Sequence, residues 1–479
     1  MGAPFLALSS SIRSDEARRF GVPSKAVLNK AYMRKREPGP RIPLAAALRW
    51  VGLGIRAIVG TPARAVRGTA RLVADPTRQV VDYWASEQRT TRQAFTAVSI
   101  ASLTSLIAGV TLAGMDHRLA SVEGLFVLIP VSIGMRGNIF GALAARLGTS
   151  IHSGLFEVSR AKEGLLYQNV YAATLLTIAT SVAMGVLARA ISGLLGIDTV
   201  SVWDFMVIAL VGGILSSAVV LAVTVVLSIA SFRRGWDLDS VGAPLITAIG
   251  DTVTLPCLLL ASYLIDLGPV TPVLSGLSLV LGVVALGRGW VVDSRLTRQI
   301  VRESFPVLCV AIVLDVLAGT VVEPRIEETF LTFPALLILV PGFLENTGAL
   351  GSILAARLGS KLHLGAVTPR AKPQPAALLD GTIILALGIL IYVLLGTSTL
   401  ALATILNQDY PGALRFIGIT LTGGMLATLV ACVIGYYAAV TTHRFGFDPD
   451  NHTIPLVTSG MDLSGVICLV IALVIFRVA

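Results

Sequence analysis

The sequence predicts an all-α polytopic membrane protein of about eleven spans, built as two parallel five-helix repeats joined by a linker helix. Three observations carry this reading. Apolar residues make up 54% of the 479 and charged residues only 14%, against about a quarter charged in soluble domains, and mean hydropathy is +0.81. Apolar runs of about the 20 residues that a helix needs to cross the hydrocarbon core follow one another from residue 93 onward. The chain also repeats itself at a fixed offset of 211 residues. The composition excludes a soluble globular enzyme, and it excludes a disordered chain, which needs low hydrophobicity and high charge. Glycine is abundant, at 46 residues, as in membrane helices that pack closely or break around a site.

The first 92 residues form a basic N-terminal region. They hold 17 of the 37 Lys and Arg residues and account for the net charge of +9. No nucleic-acid-binding motif accompanies them, so a lipid-facing cytoplasmic arm is expected rather than a nucleic-acid surface. Residues 1–43 are polar and Pro-containing. In 44–92, Leu48, Trp50, Val51, Leu53, Ile55 and Ile58 mix with Arg49, Arg56, Arg64, Arg67 and Arg71. That pattern fits an amphipathic helix on an anionic membrane surface or a helical cap on the membrane domain, with Pro62 and Pro76 interrupting it. No signal peptide is visible, and Leu6 stands where myristoylation wants Ser or Thr.

Spans are predicted near 94–114, 121–145, 165–196, 204–231, 242–267, 269–287, 305–323, 331–356, 376–404, 413–440 and 453–476. Fourteen Lys and Arg fall in the loops on the N-terminal side and four on the other. This asymmetry predicts a cytoplasmic N-terminus and an outside C-terminus, and the plasma membrane is the expected location. Cys257, Cys309, Cys432 and Cys468 all lie in apolar runs without CxxC spacing, as small buried hydrophobes rather than disulfides or zinc ligands.

The repeat is clearest in Pro130–Gly154 and Pro341–Gly365, which match at 10 of 25 positions, including LAARLG. The same offset aligns Gly212-Gly213 with Gly423-Gly424, Asp237 with Asp448, Asp239 with Asp450, Pro244 with Pro455, Thr247 with Thr458 and Asp251 with Asp462. The membrane repeats are therefore 93–268 and 304–479, with a connecting helix and basic loop over 269–303. Two five-span halves joined directly would lie inverted; the extra span makes them parallel, related by an axis along the membrane normal. Residues near that axis come in facing pairs.

Asp251 and Asp462 are the leading such pair. A charged side chain at the centre of a membrane helix costs about 2.5–3.5 kcal/mol on insertion scales and marks a functional candidate. Each lies seven residues past a proline, about 10 Å into its helix. Small or hydroxylated residues flank each, Thr247 and Thr458 among them. Two facing carboxylates repel unless one is protonated or a cation bridges them. A second constellation is Pro130, Gly134, Gly137 and Asn138, expected to break or kink the second span and to offer carbonyl and amide oxygens. The second repeat departs here: Glu345 replaces Gly134, Asn346 replaces Met135 and Ala349 replaces Asn138. Glu345 and Asn346 are candidates to supply the missing oxygens. Arg136 either pairs with Glu345 or another carboxylate, or points away. Asp315 in the seventh span has no acidic counterpart, Thr104 taking the matching place; it is a candidate secondary polar site. His152 and His363 match across the repeat and are expected to pack or cap. Asp237, Asp239, Asp448, Asp450 and Asn451 form either a cation site at the cytoplasmic mouth or caps for the following helices.

Oxygen ligands without thiolates or histidines suit Mg2+, which dehydrates reluctantly and keeps waters; Mn2+ and Co2+ stay open. No organic cofactor is expected.

These residues resemble the MgtE-type magnesium transporters, including the tandem solute carrier family 41 branch. The resemblance rests on PVSIGMRGN from Pro130 to Asn138, AIGDTVT from Ala248 to Thr254, and DPDNHTIPLVTSGMD from Asp448 to Asp462. It covers roughly 94–476. It implies two MgtE-like repeats and an ion path along the pseudo-two-fold axis, with Asp251 and Asp462 holding a hydrated divalent cation. It also implies that one chain, as a monomer surrounded by membrane lipids, does the work of an MgtE dimer. The soluble sensing regions of MgtE proteins have no room in the first 92 residues, so their cytoplasmic gating is not expected. The function expected is thus a divalent cation channel or transporter, magnesium first, and not an enzyme. An ion-coupled exchanger, such as sodium against magnesium, is the alternative. An intramembrane aspartyl protease also needs two membrane carboxylates, but its GxGD string is absent: the local strings are AIGD ending at Asp251 and SGMD ending at Asp462. A non-transporting scaffold would leave the paired aspartates unexplained.

Overall fold

The computed structural model describes residue 80 and residues 83–478 apart from 160, 235–237, 268–269 and 447–452, with all side chains in that range but those of 152, 238–245 and 270. The amphipathic segment expected before residue 80, and Asp237, Asp448, Asp450 and Asn451, lie outside the described residues, as does the side chain of Asp239. Among the described residues, eleven helices are long and apolar enough to cross a membrane, and there is no strand. They are α1 (Gln88–Ala113), α2 (Leu128–His152), α3 (Leu165–Leu194), α4 (Val202–Arg234), α5 (Leu238–Ser262), α6 (Val270–Val291), α7 (Arg295–Val322), α8 (Pro334–His363), α9 (Pro375–Ile405), α10 (Ala413–Phe445) and α11 (Ile454–Ile475). The offset of 211 carries both ends of α4 onto both ends of α10. Helices α1–α5 and α7–α11 are the two repeats, and α6 is the linker, packed on α3 and α4.

Two expectations need correcting. The basic loop before the seventh span is mostly helix: α6 ends at Val291 and α7 begins at Arg295 rather than near 305. Ser294 caps α7 by accepting from the Thr297 amide at 3.2 Å, and Arg302 donates to the Trp290 carbonyl. Charge hides this extension, because a helix continues past the apolar layer wherever its backbone is capped and its side chains reach water. The second span is also not broken at its proline and glycines. Pro130 sits in the first turn of α2, where a missing N–H costs nothing, and helix α2 runs through Gly134 and Gly137. Pro341 lies inside α8, which is likewise continuous.

The first helix of each repeat packs on the other repeat. Helix α1 lies against α8, α9 and α5, and α7 against α2, α3 and α11. The approaches are close enough to demand glycine. A Cβ at Gly319 of α7 would stand 2.7 Å from Val127 Cα, and one at Gly109 of α1 would collide with the backbone of Ile338, the equivalent of Val127. Within each repeat, the glycine pairs do the same for α4 on α5 and α10 on α11. Cβ atoms at Gly212 and Gly423 would stand 3.2 and 3.3 Å from the Cα atoms of Leu258 and Leu469, which are themselves equivalent. Small residues replace the hydrophobic effect as the means of close helix packing in lipid.

The repeated arginine of LAARLG ties the second helix of each repeat to the third. Arg146 donates from Nε to Asn169 Oδ1 at 2.9 Å. Its equivalent Arg357 donates to Asp380 at 2.8 and 3.0 Å, in the position equivalent to Asn169. Asp380 is fully buried and also takes Lys361 at 2.7 Å and the Tyr83 hydroxyl at 2.6 Å, while Glu87 pairs with Arg357 at 3.1 Å. The segment leading into α1 is thereby anchored on the second repeat. Burial and the neighbouring Asp380 carboxylate push the Tyr83 hydroxyl above its ordinary pKa. Asp380→Ala leaves two cations without their buried partner, so stability should fall by about 3–5 kcal/mol; a clear drop in melting temperature in detergent checks this, and Tyr83→Phe should cost only about 1 kcal/mol.

Candidate functional site

Helices α1, α2, α5, α8, α10 and α11 line a cavity of about 790 Å³. At one end Pro130 and Pro341 line it, and at the other Ser360, His363 and His443; Ser360 and His363 are exposed. From Pro341 to His363 it follows α8 for roughly 33 Å. Beyond the prolines the bundle is solid. Residues Leu125–Ile129 and Ala335–Val340 are all at most 1% exposed, so the cavity is blind at that end. The Glu323 carboxylate reaches the amide of Gly124 at 2.8 Å ahead of α2, and the Phe126 and Phe330 rings pack at 6.4 Å. Arg118 pairs with Asp266 at 2.8 Å and donates to the Ser262 carbonyl, fastening the same end of α5.

Most of the sequence-predicted residues converge on this cavity. Asp251, Asp462, Glu345, Asn138, Gly134, Gly137, Thr247 and Thr458 all line it. Asn138 is held across the repeats: its Oδ1 accepts from Thr458 Oγ1 at 2.9 Å, and its Nδ2 reaches Ser459 Oγ at 3.4 Å. Gly137 and Gly348 lie under Thr247 and Thr458, at 3.6 and 3.8 Å from a built Cβ to the threonine methyl. The glycines act as notches in continuous helices, not as breaks that free carbonyls.

Asp251 is 1% exposed, and neither of its oxygens accepts a hydrogen bond from the protein. Its carboxyl group lies near enough to that of Glu345 for the two charges to interact, and two ionised acceptors there need a proton, a water or a cation between them. Asp462 feels the charge of both Asp315 and Glu345. Among the described residues, no three His, Cys, Asp or Glu side chains close on a point tightly enough to chelate a bare ion.

Asn346 does not reach the cavity. It is fully buried and donates to Ser102 Oγ of α1 at 3.1 Å, with its own oxygen unpartnered. Arg136 points away from the carboxylates toward α4. Its Nε donates to Ser216 Oγ at 3.1 Å, its terminal nitrogens have no partner, and Gly213 gives it room. In the second repeat Thr347 replaces the arginine, and the space is filled by Tyr392, whose ring lies over Gly424, the equivalent of Gly213. His363 donates from Nδ1 to the Gly359 carbonyl at 2.7 Å and meets the His443 ring edge-on at 5.0 Å, so the histidines at the mouth pack on each other. Sequence reasoning undervalued Asp315. It is fully buried beside Gly134, and its only signal was a carboxylate in a spanning helix.

Two segments, residues 129–261 and 340–472, match the MgtE family, described as divalent cation transporters. They are related by the same offset of 211. Solute carrier family 41 member 3 of Rattus norvegicus is 23% identical over 404 residues, covering 78% of this chain and 85% of its own. Solute carrier family 41 member 2 of Mus musculus is 23% identical over 414 residues, covering 76% and 67%; the human member 2 is 23% identical over 407 residues, covering 76% and 67%. No solved structure matches the chain. A doubled family match over more than half the chain, on two helical repeats that enclose a carboxyl-lined cavity, makes this protein a member of the MgtE family of divalent cation transporters.

Proposed function

We propose that the protein moves hydrated Mg2+ along the pseudo-two-fold axis, with Asp251 and Asp462 as the cation-binding pair. The observation that carries this is the buried, unpartnered Asp251 carboxyl toward the blind end of the cavity, which its repeat equivalent Asp462 also lines. An uncompensated carboxylate there is costly, and a divalent cation offsets the cost. Glu345 adds a third carboxyl, Asn138 fixes α2 to α11 beneath it, and Thr247 and Thr458 offer hydroxyls to the ion's water shell. Mg2+ suits a set of spaced oxygens because it gives up water reluctantly. Mn2+ and Co2+ would meet the same ligands. The solid packing beyond Pro130 and Pro341 supports a carrier that opens alternately, and in this state the ion enters from the His363 end. Both repeats lie in one chain, so one copy encloses the path.

Purified protein in liposomes should pass Mg2+, and Asp251→Asn with Asp462→Asn should remove the flux, read with an internal magnesium-sensitive dye. Undiminished flux in the double variant would reject the pair. Repeating the assay with and without a sodium gradient separates simple transport from exchange. The loop charges support an N-terminus and a His363 end on the cytoplasmic side, and the plasma membrane is the expected location. A cysteine at Asn407, between α9 and α10, should then react with a membrane-impermeant thiol reagent in intact cells, whereas one at Ser360 should react only after permeabilisation; the opposite pattern would invert the topology.

A further inference from the structure

The repeats agree at Asp251 and Asp462 but disagree one helix away, where α8 carries Glu345 and α2 carries Gly134. On sequence alone, the first repeat has lost a carboxyl. The structure fills the gap from a different helix. A Cβ built on Gly134 would stand 2.7 Å from Asp315 Oδ2 and 3.4 Å from Asp462 Oδ2. Both oxygens therefore converge on the notch that the glycine leaves, within about 6 Å of each other, where like charges repel. Asp315 is fully buried, neither of its oxygens accepts a hydrogen bond of standard geometry, and Ser459 is the hydroxyl beside it. The Gly134 notch is part of the cavity wall.

Asp315 arrives on α7, the helix that crosses onto α2. Its equivalent on α1, which crosses onto α8, is Thr104. The two crossings thus differ in composition: a glycine on α2 faces an aspartate on α7, whereas the equivalent positions hold a glutamate on α8 and a threonine on α1. Side-chain reach lost from one helix is supplied by the other. We propose that Asp315 is a cation-binding residue, and that the site consists of two carboxyl pairs, Asp251 with Glu345 and Asp315 with Asp462, which together hold one hydrated divalent cation from opposite sides of the pseudo-axis. This rests on the transport reading above and extends it to a residue that the repeat does not mark.

The trade can be tested by reversing it. Gly134→Glu alone should drive a side chain into Asp315. Asp315→Ala alone should remove one carboxyl. Combined, they give α2 the glutamate that α8 carries and free the space it needs. Cation binding is read as the Mg2+-dependent and Mn2+-dependent rise in melting temperature of the purified full chain, alongside liposome flux. Each single variant, and the isosteric Asp315→Asn, should weaken the apparent cation affinity by about tenfold or more, and the double variant should regain most of it. If the wild type responds and Asp315→Asn responds equally, the Asp315 assignment is overturned and the transport reading stands. A double variant that elutes as a folded monodisperse protein yet stays as unresponsive as Asp315→Ala also overturns the trade. Absence of any divalent response in the wild type overturns both.

Discussion

The architecture depends on a reciprocal crossing of helices. Neither repeat closes around its own first helix; α1 lies on the second repeat and α7 on the first. In lipid, little drives helices together except close packing and polar contacts, so the crossings must be made tight. Gly319 over Val127 and Gly109 over Ile338 bring backbone against backbone at equivalent places. These contacts join the halves and also seal the cavity behind Pro130 and Pro341. Without them the paired helices that carry the carboxyls would have no fixed relation to one another.

Within that frame the symmetry is kept in space and relaxed in composition. Around α4 and α10, the same glycine pair accommodates an arginine with serines in one repeat and a threonine with a tyrosine in the other. The volumes are equivalent although the chemistry is not. Around the cavity Asp315 stands opposite a glycine, and the equivalent positions in the other crossing hold Thr104 and Glu345. A gene duplication held in one chain can diverge in this way, because each half needs to match only its partner and not a copy of itself. The LAARLG arginines show a milder version: Arg146 meets an asparagine, whereas Arg357 meets an aspartate that also gathers Lys361 and Tyr83.

Membrane class, the number of spans, the two repeats and the equivalence of Asp251 and Asp462 within them were all legible in the sequence. The apolar layer imposes a minimum length on every span, and a duplication leaves polar and Pro/Gly residues in register. The start of α7 was not legible, since its first turns are charged and lie beyond the apolar run that marks a span. The continuity of α2 was not legible either: a proline in the first turn costs a helix no hydrogen bond, a boundary uncertain by a few residues does not tell that place from the interior, and α8 runs on through its interior Pro341.

What the sequence by itself determined is which side chains are too costly to bury without purpose. It singled out Asp251, Asp462, Asn138 and Glu345 because an unpaired polar group in a membrane helix needs a reason. Only the tertiary structure decided which of them meet. Asn346 turns to α1 and Arg136 to α4, although both stand within one turn of residues that line the cavity. Asp315 reaches the Gly134 notch in the cavity wall although nothing in the repeat marks it. The reason is physical: one residue of helix advances the side chain by about 100°, so neighbours in sequence face different partners, and the helix that faces Gly134 comes from the other repeat.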